Sequence, residues 1–295
     1  MTHRPTSADN ARGILALLLS QALFVSSDSF VKLVGAMMPA TQIMALRGLM
    51  AVTLAAAVLA LTVDRSKWKL AAQPLVGVRA ALEGTSAALF IISLPHLTLG
   101  DITVFMQFTP LSITLLAALV LGERVGWRRW AAIITGLMGV ILVAQPGGSS
   151  FSIYSVSAIT VALLISVRDL VTRRLDPAIP TPAITLTTTM SVCALGFLGS
   201  PLQEWQPVQS QALWLLAGSA VLVTAANVSI IRAFRGTDVT VVSPFRYFGV
   251  LWALLLGYAI WRETPNLLAI AGTVLIVGSG LYTMHRESLR MRQGS

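Results

Sequence analysis

The chain has few of the residues on which soluble enzymes and metalloproteins depend. Charged residues make up only 11% of its 295 positions, too few to cover a soluble fold of this size with polar surface. The single cysteine, Cys193, excludes an intramolecular disulfide and a cysteine metal cluster. His96 has no second ligand at metal-binding spacing, so we expect no metal site. A phosphate-binding Gly-x-x-x-x-Gly-Lys-Ser/Thr loop is also missing, so we expect neither ATP-driven pumping nor a cofactor.

Hydrophobic residues are abundant instead, at 55% of the chain with a mean hydropathy of +0.78. They form ten continuous stretches of about twenty residues, the length that an α-helix needs to cross a bilayer. The stretches lack the alternation of a barrel wall, so the sequence predicts an all-α polytopic membrane protein with ten transmembrane helices. The predicted spans are 12–34, 39–62, 72–94, 101–121, 128–145, 153–173, 183–200, 211–232, 238–260 and 266–284.

Basic residues fall mainly on one side of these spans. In a soluble protein the formal net charge of +9 would suggest nucleic acid, but here the charges are spread over alternate loops and the termini. Because lysine and arginine resist translocation, those loops and both termini are predicted to be cytoplasmic, in a bacterial inner membrane whose lipid surrounds the protein. Fifteen of the 21 basic residues follow this pattern: Arg4, Arg12, Arg65, Lys67, Lys69, Arg124, Arg128, Arg129, Arg173, Arg174, Arg232, Arg235, Arg286, Arg290 and Arg292.

The two halves of the chain share an order of features. The segment 96–104, which leads into the fourth span, is echoed by the segment 234–241 before the ninth. Each half then has an early proline, Pro110 or Pro244, which we predict to be a hinge, and ends in a glycine-rich span.

This duplication predicts the domain organisation. A unit of five spans is odd, so a tandem copy enters the membrane in the opposite orientation. Two inverted five-helix repeats are therefore predicted at residues 1–148 and 149–295, joined by the uncharged loop 145–150.

This order, together with Leu97-Thr-Leu-Gly-Asp101 and Leu121-Gly-Glu-Arg124, resembles the drug/metabolite transporter superfamily, and within it the EamA-type exporters. The resemblance covers nearly the whole chain. It implies two inverted bundles around a central cavity, and outward movement of small metabolites, amino acids (aromatic ones among them) or toxic organic compounds. The second half departs from the family pattern, with Trp261-Arg-Glu263 where Leu-Gly-Glu is commoner.

Polar side chains inside the third span are candidates for substrate contact, because such groups are costly in lipid unless they face protein or water. Arg79 and Glu83 are four residues apart and share a helix face with Ser86. The alternative is a self-neutralising structural pair of Arg79 and Glu83. Glu83 is also the candidate for proton coupling. Adjacent Arg168 and Asp169 cannot share a helix face, so we expect them to pair separately.

The ninth span offers a second candidate site. Ser243, Arg246 and Tyr247 share a face beside Pro244. A guanidinium fork suits a carboxylate, and a tyrosine ring supplies stacking area. The alternative for Arg246 is an acidic partner elsewhere in the bundle.

The fourth and eighth spans add Phe105, Thr109 and Asn227 to the predicted substrate-binding residues. Phe105 lies in an aromatic stripe with Phe108, and Gln107 lies on an adjacent face. Helix packing for the stripe and an interhelical hydrogen bond for Asn227 are the alternative interpretations.

The leading functional hypothesis is a secondary exporter of small amphipathic metabolites by alternating access, not an enzyme. The second hypothesis is an intramembrane enzyme acting on lipid-embedded substrates. It would need a serine with a histidine, or two aspartates at matched depth, and no predicted span contains a histidine. The oligomeric state is left open, a monomer included.

Overall fold

The computed structural model describes residues 7–120, 126–146, 152–172, 174–176, 178–234 and 242–293. Within these residues the regular elements are α-helices and short 3-10 helices. The α-helices described there are α1 (Ser7–Val34), α2 (Ala40–Thr62), α3 (Pro74–Ser93), α4 (Leu99–Met106), α5 (Thr109–Val120), α6 (Trp127–Ala144), α7 (Ile153–Thr172), α8 (Thr181–Leu198), α9 (Ser210–Phe234), α10 (Phe248–Trp261) and α11 (Leu267–Gln293). The 3-10 helices are Arg65–Ala72, Leu94–His96, Ser200–Leu202 and Ser243–Tyr247.

Six helices in the described part of the chain are long and apolar enough to cross a membrane: Ala8–Val34, Ala40–Thr62, Pro74–His96, Ile153–Thr172, Thr181–Leu202 and Ser210–Ile230. Three shorter apolar helices accompany them, at Trp130–Ala144, Phe245–Trp261 and Leu267–Thr283. The prediction of an all-α polytopic membrane protein is therefore confirmed. The count of ten crossings stays a prediction, although a described helix overlaps each of the ten predicted stretches.

Two predicted spans are not the continuous helices that we expected. The stretch 101–121 is divided between α4 and α5, with Gln107 and Phe108 between them. The physical reason is Pro110, which has no N–H to donate to the carbonyl four residues earlier. The hydroxyl of Thr109 donates to that carbonyl, Met106 O, at 2.7 Å and satisfies it. In the stretch 238–260, the described residues begin at Val242. The 3-10 helix Ser243–Tyr247, which contains Pro244, follows it and runs into α10.

Packing divides the chain into two compact units. Unit 1 comprises Met1–Ser27, Thr98–Ser152 and Leu222–Ser295, and unit 2 comprises Asp28–Leu97 and Ile153–Val221. Each unit therefore draws on both halves of the sequence. The division at 148/149 describes the sequence repeat and stays a prediction, and most of the junction loop, residues 147–150, lies outside the described residues.

Each unit contains a helix pair that is brought close by glycine. In unit 1, α6 packs along α11, and a Cβ placed on Gly139 would lie 2.7 Å from the carbonyl oxygen of Gly272. In unit 2, α2 packs along α8, and a Cβ placed on Gly48 would lie 2.8 Å from the Cα of Cys193. Small residues stabilise helix association in membranes because they let the backbones approach. These two helix pairs therefore help to determine which side chains are neighbours within each unit.

Candidate functional site

The two interrupted spans are joined within unit 1. Gln107 directly follows the last residue of α4, as its C-cap, and is 5% exposed. Its Nε2 donates a long hydrogen bond, 3.4 Å, to the carbonyl oxygen of Arg246 in the 3-10 helix Ser243–Tyr247. The break in one span therefore contacts the break in the other. Interrupted helices free backbone polar groups from the regular i to i−4 pattern, so such regions can bind polar ligands inside a membrane.

A second buried amide lies at the same place. A Cβ on Gly249, in the first turn of α10, would lie 2.8 Å from Oε1 of Gln21 and 3.7 Å from Nε2 of Gln107. Gln21 is on α1 and is 9% exposed. Because position 249 has no side chain, both amides approach the backbone of α10. We call Gln21, Gln107, Arg246, Tyr247 and Gly249 the break cluster. Its amides offer donors and acceptors without a net charge.

Tyr247 completes the break cluster and is 8% exposed. It is the last residue of the 3-10 helix, directly after the half-buried Arg246. Among the described residues its hydroxyl has no hydrogen-bond partner. The ninth-span prediction therefore placed Arg246 and Tyr247 at a structurally unusual point. Ser243 begins the same 3-10 helix, but the side chains of Ser243 and Pro244 lie outside the described part of the structure.

The residues predicted on the fourth span have structural contacts. Phe105 is 1% exposed and Thr109 is 3% exposed, so both belong to the interior of unit 1. The hydroxyl of Thr109 bonds to Met106 O, as described above. Pro110 lies in the first turn of α5, immediately after the break for which it was predicted to be a hinge.

Unit 2 holds a cluster of charged residues that includes both Arg79 and Glu83. Glu83 on α3 forms its described ion pair with Arg168 on α7. Nε and Nη2 of Arg168 also donate to Oδ1 of Asp169, at 3.0 and 2.7 Å. The expectation that Arg168 and Asp169 pair separately is therefore wrong. The long arginine side chain folds along its own helix to reach the next residue.

Arg79 is bound by hydroxyl groups. Its Nε donates to Oγ1 of Thr172 at 2.9 Å, and its Nη1 donates to Oγ1 of Thr188 at 2.7 Å. These threonines lie on α7 and α8, which both pack against α3. The arginine therefore ties three helices of unit 2 together. Neighbouring helices therefore supply the described hydrogen-bond and ion-pair partners of Arg79 and Glu83.

Two other predicted residues bond to their own helices. Ser86 is 3% exposed, and its hydroxyl donates to Leu82 O at 2.7 Å. Asn227 is exposed on α9, and its amide donates to Val223 O at 2.8 Å. The structure brings neither of them to the break cluster by a described contact.

Sequence reasoning missed Gln21. The signal was present, because Gln21 is a carboxamide in the middle of a long apolar stretch, where a polar group needs a partner inside the protein. Gln107 was noticed only as a neighbour of the aromatic stripe. Its importance follows from a contact with a residue 139 positions away, which spacing along one helix does not reveal.

A sequence profile of the EamA-like transporter family matches the chain twice, over residues 11–145 and 152–284. The chain is 25% identical over 276 residues to the pseudopaline exporter of Pseudomonas aeruginosa, with 90% of this chain and 93% of the relative covered. It is 24% identical over 220 residues to a riboflavin transporter of Vibrio cholerae, covering 74% of this chain and 73% of that protein.

The chain is also similar to a transporter from a third organism and to a solved structure. An S-adenosylmethionine uptake transporter of Rickettsia prowazekii is 24% identical over 194 residues, which is 64% of either chain. A solved crystal structure aligns with 93% of this chain and 96% of its own at a TM-score of 0.58 and 23% identity, a likeness of fold. The relatives whose names state an activity move different small molecules, and in different directions.

Proposed function

Because the chain belongs to the EamA-like transporter family, we propose that it is a secondary transporter that exports small amphipathic metabolites. The named relatives are transporters of small molecules, which favours transport over the intramembrane enzyme considered above. Export rather than uptake follows the pseudopaline exporter, the relative with the larger coverage. The protein would lie in a bacterial inner membrane with both termini in the cytoplasm, as the distribution of basic residues predicts.

The observation that carries the proposal is the hydrogen bond between the two interrupted spans, from Gln107 to the carbonyl of Arg246. In secondary transporters, broken helices at corresponding positions of two repeats mark the substrate site. We therefore place cargo binding at the break cluster, with the amides of Gln21 and Gln107 as hydrogen-bonding groups and the prolines Pro110 and Pro244 as hinges.

Amino acids, the aromatic ones among them, are the cargo that we propose. A guanidinium such as that of Arg246 can bind a carboxylate through two parallel hydrogen bonds. The aromatic and amide groups of the break cluster can accommodate an apolar side chain beside a polar one. Ser86, Phe105, Thr109 and Asn227 then serve the site through helix packing, and Ser243 lies at the start of its 3-10 segment.

Alternating access between two inverted repeats is the transport mechanism that we propose. The family profile matches each half of the chain, which supports the duplication. Within the units, the described helix pairs α2 with α8, α4 with α10 and α6 with α11 each join one predicted span to its counterpart five spans later. Such pairing of equivalent elements supports an internal two-fold relation, on which two interchangeable packings depend.

Flux measurements on purified protein in sealed vesicles test this function. Vesicles loaded with L-phenylalanine, L-tryptophan or tetraphenylphosphonium should release at least one of them faster than protein-free vesicles do. Gln107→Leu should lower that rate about tenfold, because it removes a hydrogen-bonding group from the site.

The matched control for this experiment is Gln209→Leu, at an exposed residue just before α9, which should transport like the parent protein. Equal flux through the Gln107→Leu and parent proteins would show that the break cluster is not the transport site.

A further inference from the structure

Tyr247 has a buried hydroxyl that the described part of the protein does not satisfy. The side chain is 8% exposed, and no hydrogen-bond partner for its oxygen is found among the described residues. Most buried polar atoms in proteins have such a partner, and a missing one lowers stability. A hydroxyl retained under these conditions calls for a functional explanation.

The residues around this hydroxyl leave space for it but do not form a hydrogen bond with it among the described contacts. The oxygen lies against Gly280 of α11, where the Cβ of any other residue would overlap it. Ser279, the neighbouring residue, is 6% exposed, and its own hydroxyl donates to Ile276 O at 3.0 Å. The glycine therefore provides the space, and the adjacent hydroxyl is engaged within its own helix.

Tyr247 lies within electrostatic range of a cation at the break. Arg246 is the preceding residue of the same 3-10 helix, and its backbone carbonyl accepts the hydrogen bond from Gln107. An O–H donor next to a guanidinium suits an anionic oxygen acceptor, because hydrogen bonds to a charged acceptor are stronger than neutral ones.

We propose that the Tyr247 hydroxyl donates a hydrogen bond to the carboxylate of the cargo, with Arg246 supplying the opposite charge. This inference rests on the proposed transport function and assigns its substrate class as small carboxylates. Cargo then supplies the hydrogen-bond partner that the described residues do not provide, and it reaches the hydroxyl as the transporter exchanges conformations. The unsatisfied hydroxyl lowers the stability of the cargo-free protein, and the same hydroxyl raises the affinity for cargo once the carboxylate accepts its hydrogen bond.

Tyr247→Phe separates this role from packing, because it removes only the oxygen. Thermal unfolding of the purified variant without cargo should occur at the same temperature as the parent protein or a few degrees higher, since an unsatisfied group is gone. In vesicles, the KM for L-phenylalanine should rise about tenfold or more, the expected loss for a hydrogen bond to a charged group. The flux of 2-phenylethylamine, which lacks the carboxylate, should stay at the parent level.

Tyr258→Phe is the matched control, because Tyr258 lies on α10 and is 53% exposed. It should change neither the KM for L-phenylalanine nor the flux of the amine.

Three outcomes overturn the assignment. A lower unfolding temperature for Tyr247→Phe would show that the protein itself satisfies the hydroxyl. An unchanged KM for L-phenylalanine would remove the contact with cargo. A parent protein that moves 2-phenylethylamine but neither L-phenylalanine nor L-tryptophan would exclude the carboxylate as the group that Tyr247 binds. A parent protein that moves none of these probes contradicts the proposed transport function instead, and the unfolding comparison still decides whether the hydroxyl has a partner.

Discussion

Unit 1 and unit 2 differ in the polar groups that their apolar helices contain and in the partners of those groups. Unit 1 contains interrupted spans, with the eight-residue α4 and the 14-residue α10, and its buried amides carry no charge. Unit 2 contains the uninterrupted helices α2, α3 and α7, of 23, 20 and 20 residues, and within it Glu83 pairs with Arg168 while Arg79 donates to threonines. The difference is a division between uncharged amides at interrupted helices in unit 1 and a charged frame, the ion network of Glu83, Arg168 and Asp169, in unit 2.

The chemistry of the two units explains this division. Opposite charges inside a membrane are retained when they neutralise each other, and charges that are already paired have less to offer a ligand. Broken helices and carboxamides keep unused donors and acceptors at a lower desolvation cost than a free charge.

Arg168→Ala should produce the largest effect on stability and tests the charged frame. It leaves the carboxylates of Glu83 and Asp169 without their arginine, and breaking a buried pair in this way costs about 3 kcal/mol. We take the lower end of the known range because the three side chains keep between 18% and 30% of their exposure. Thermal unfolding in detergent measures the loss.

Arg174→Ala, at an exposed residue just beyond α7, is the control and should unfold like the parent protein. If Arg168→Ala also unfolds at the parent temperature, the ion network is not what holds unit 2 together, and the contrast between the units fails.

Gly139→Ala should lower the free energy of unfolding by less, about 1–3 kcal/mol. It tests whether close helix packing stabilises unit 1. The new methyl group would lie 2.7 Å from the backbone oxygen of Gly272, which cannot move as a flexible side chain can. Gly278→Ala on α11 is the paired control, because a Cβ there meets nothing within 4 Å. Equal unfolding temperatures for both variants would contradict the close approach of α6 and α11.

Glu83→Gln should have the smallest effect on stability. It tests whether protonation of Glu83, in the charged frame of unit 2, is coupled to transport. Glutamine keeps a hydrogen-bond acceptor for Arg168 but does not titrate. We expect the variant to exchange L-phenylalanine across vesicle membranes near the parent rate while it ignores an imposed pH gradient. Exchange and gradient-driven movement, measured side by side, give the result, and an equal response to the gradient in both proteins would remove Glu83 from coupling.

The sequence was a good guide to which stretches are helical and a poor guide to the partners of their polar residues. Apolar length alone predicts α2, because every turn of a membrane helix satisfies its own backbone. The ion pair of Glu83 with Arg168 was not predicted, since spacing reports neighbours on the same helix, and Arg168 is 85 residues away on another. The prolines were predicted as hinges, but the contact between the two breaks depends on how α4 and α10 pack, which no local pattern encodes.

Cys193, described above as the neighbour of Gly48, has a practical consequence for labelling experiments. Its thiol is enclosed between α2 and α8, where Sγ lies 3.6 Å from Ala45 O and the residue is 8% exposed. A water-soluble maleimide should therefore leave the natural chain unmodified. Cysteines introduced one at a time at exposed positions such as Gln209 or Arg174 can then report which face of the membrane they occupy, in a protein whose helix contacts are otherwise untouched.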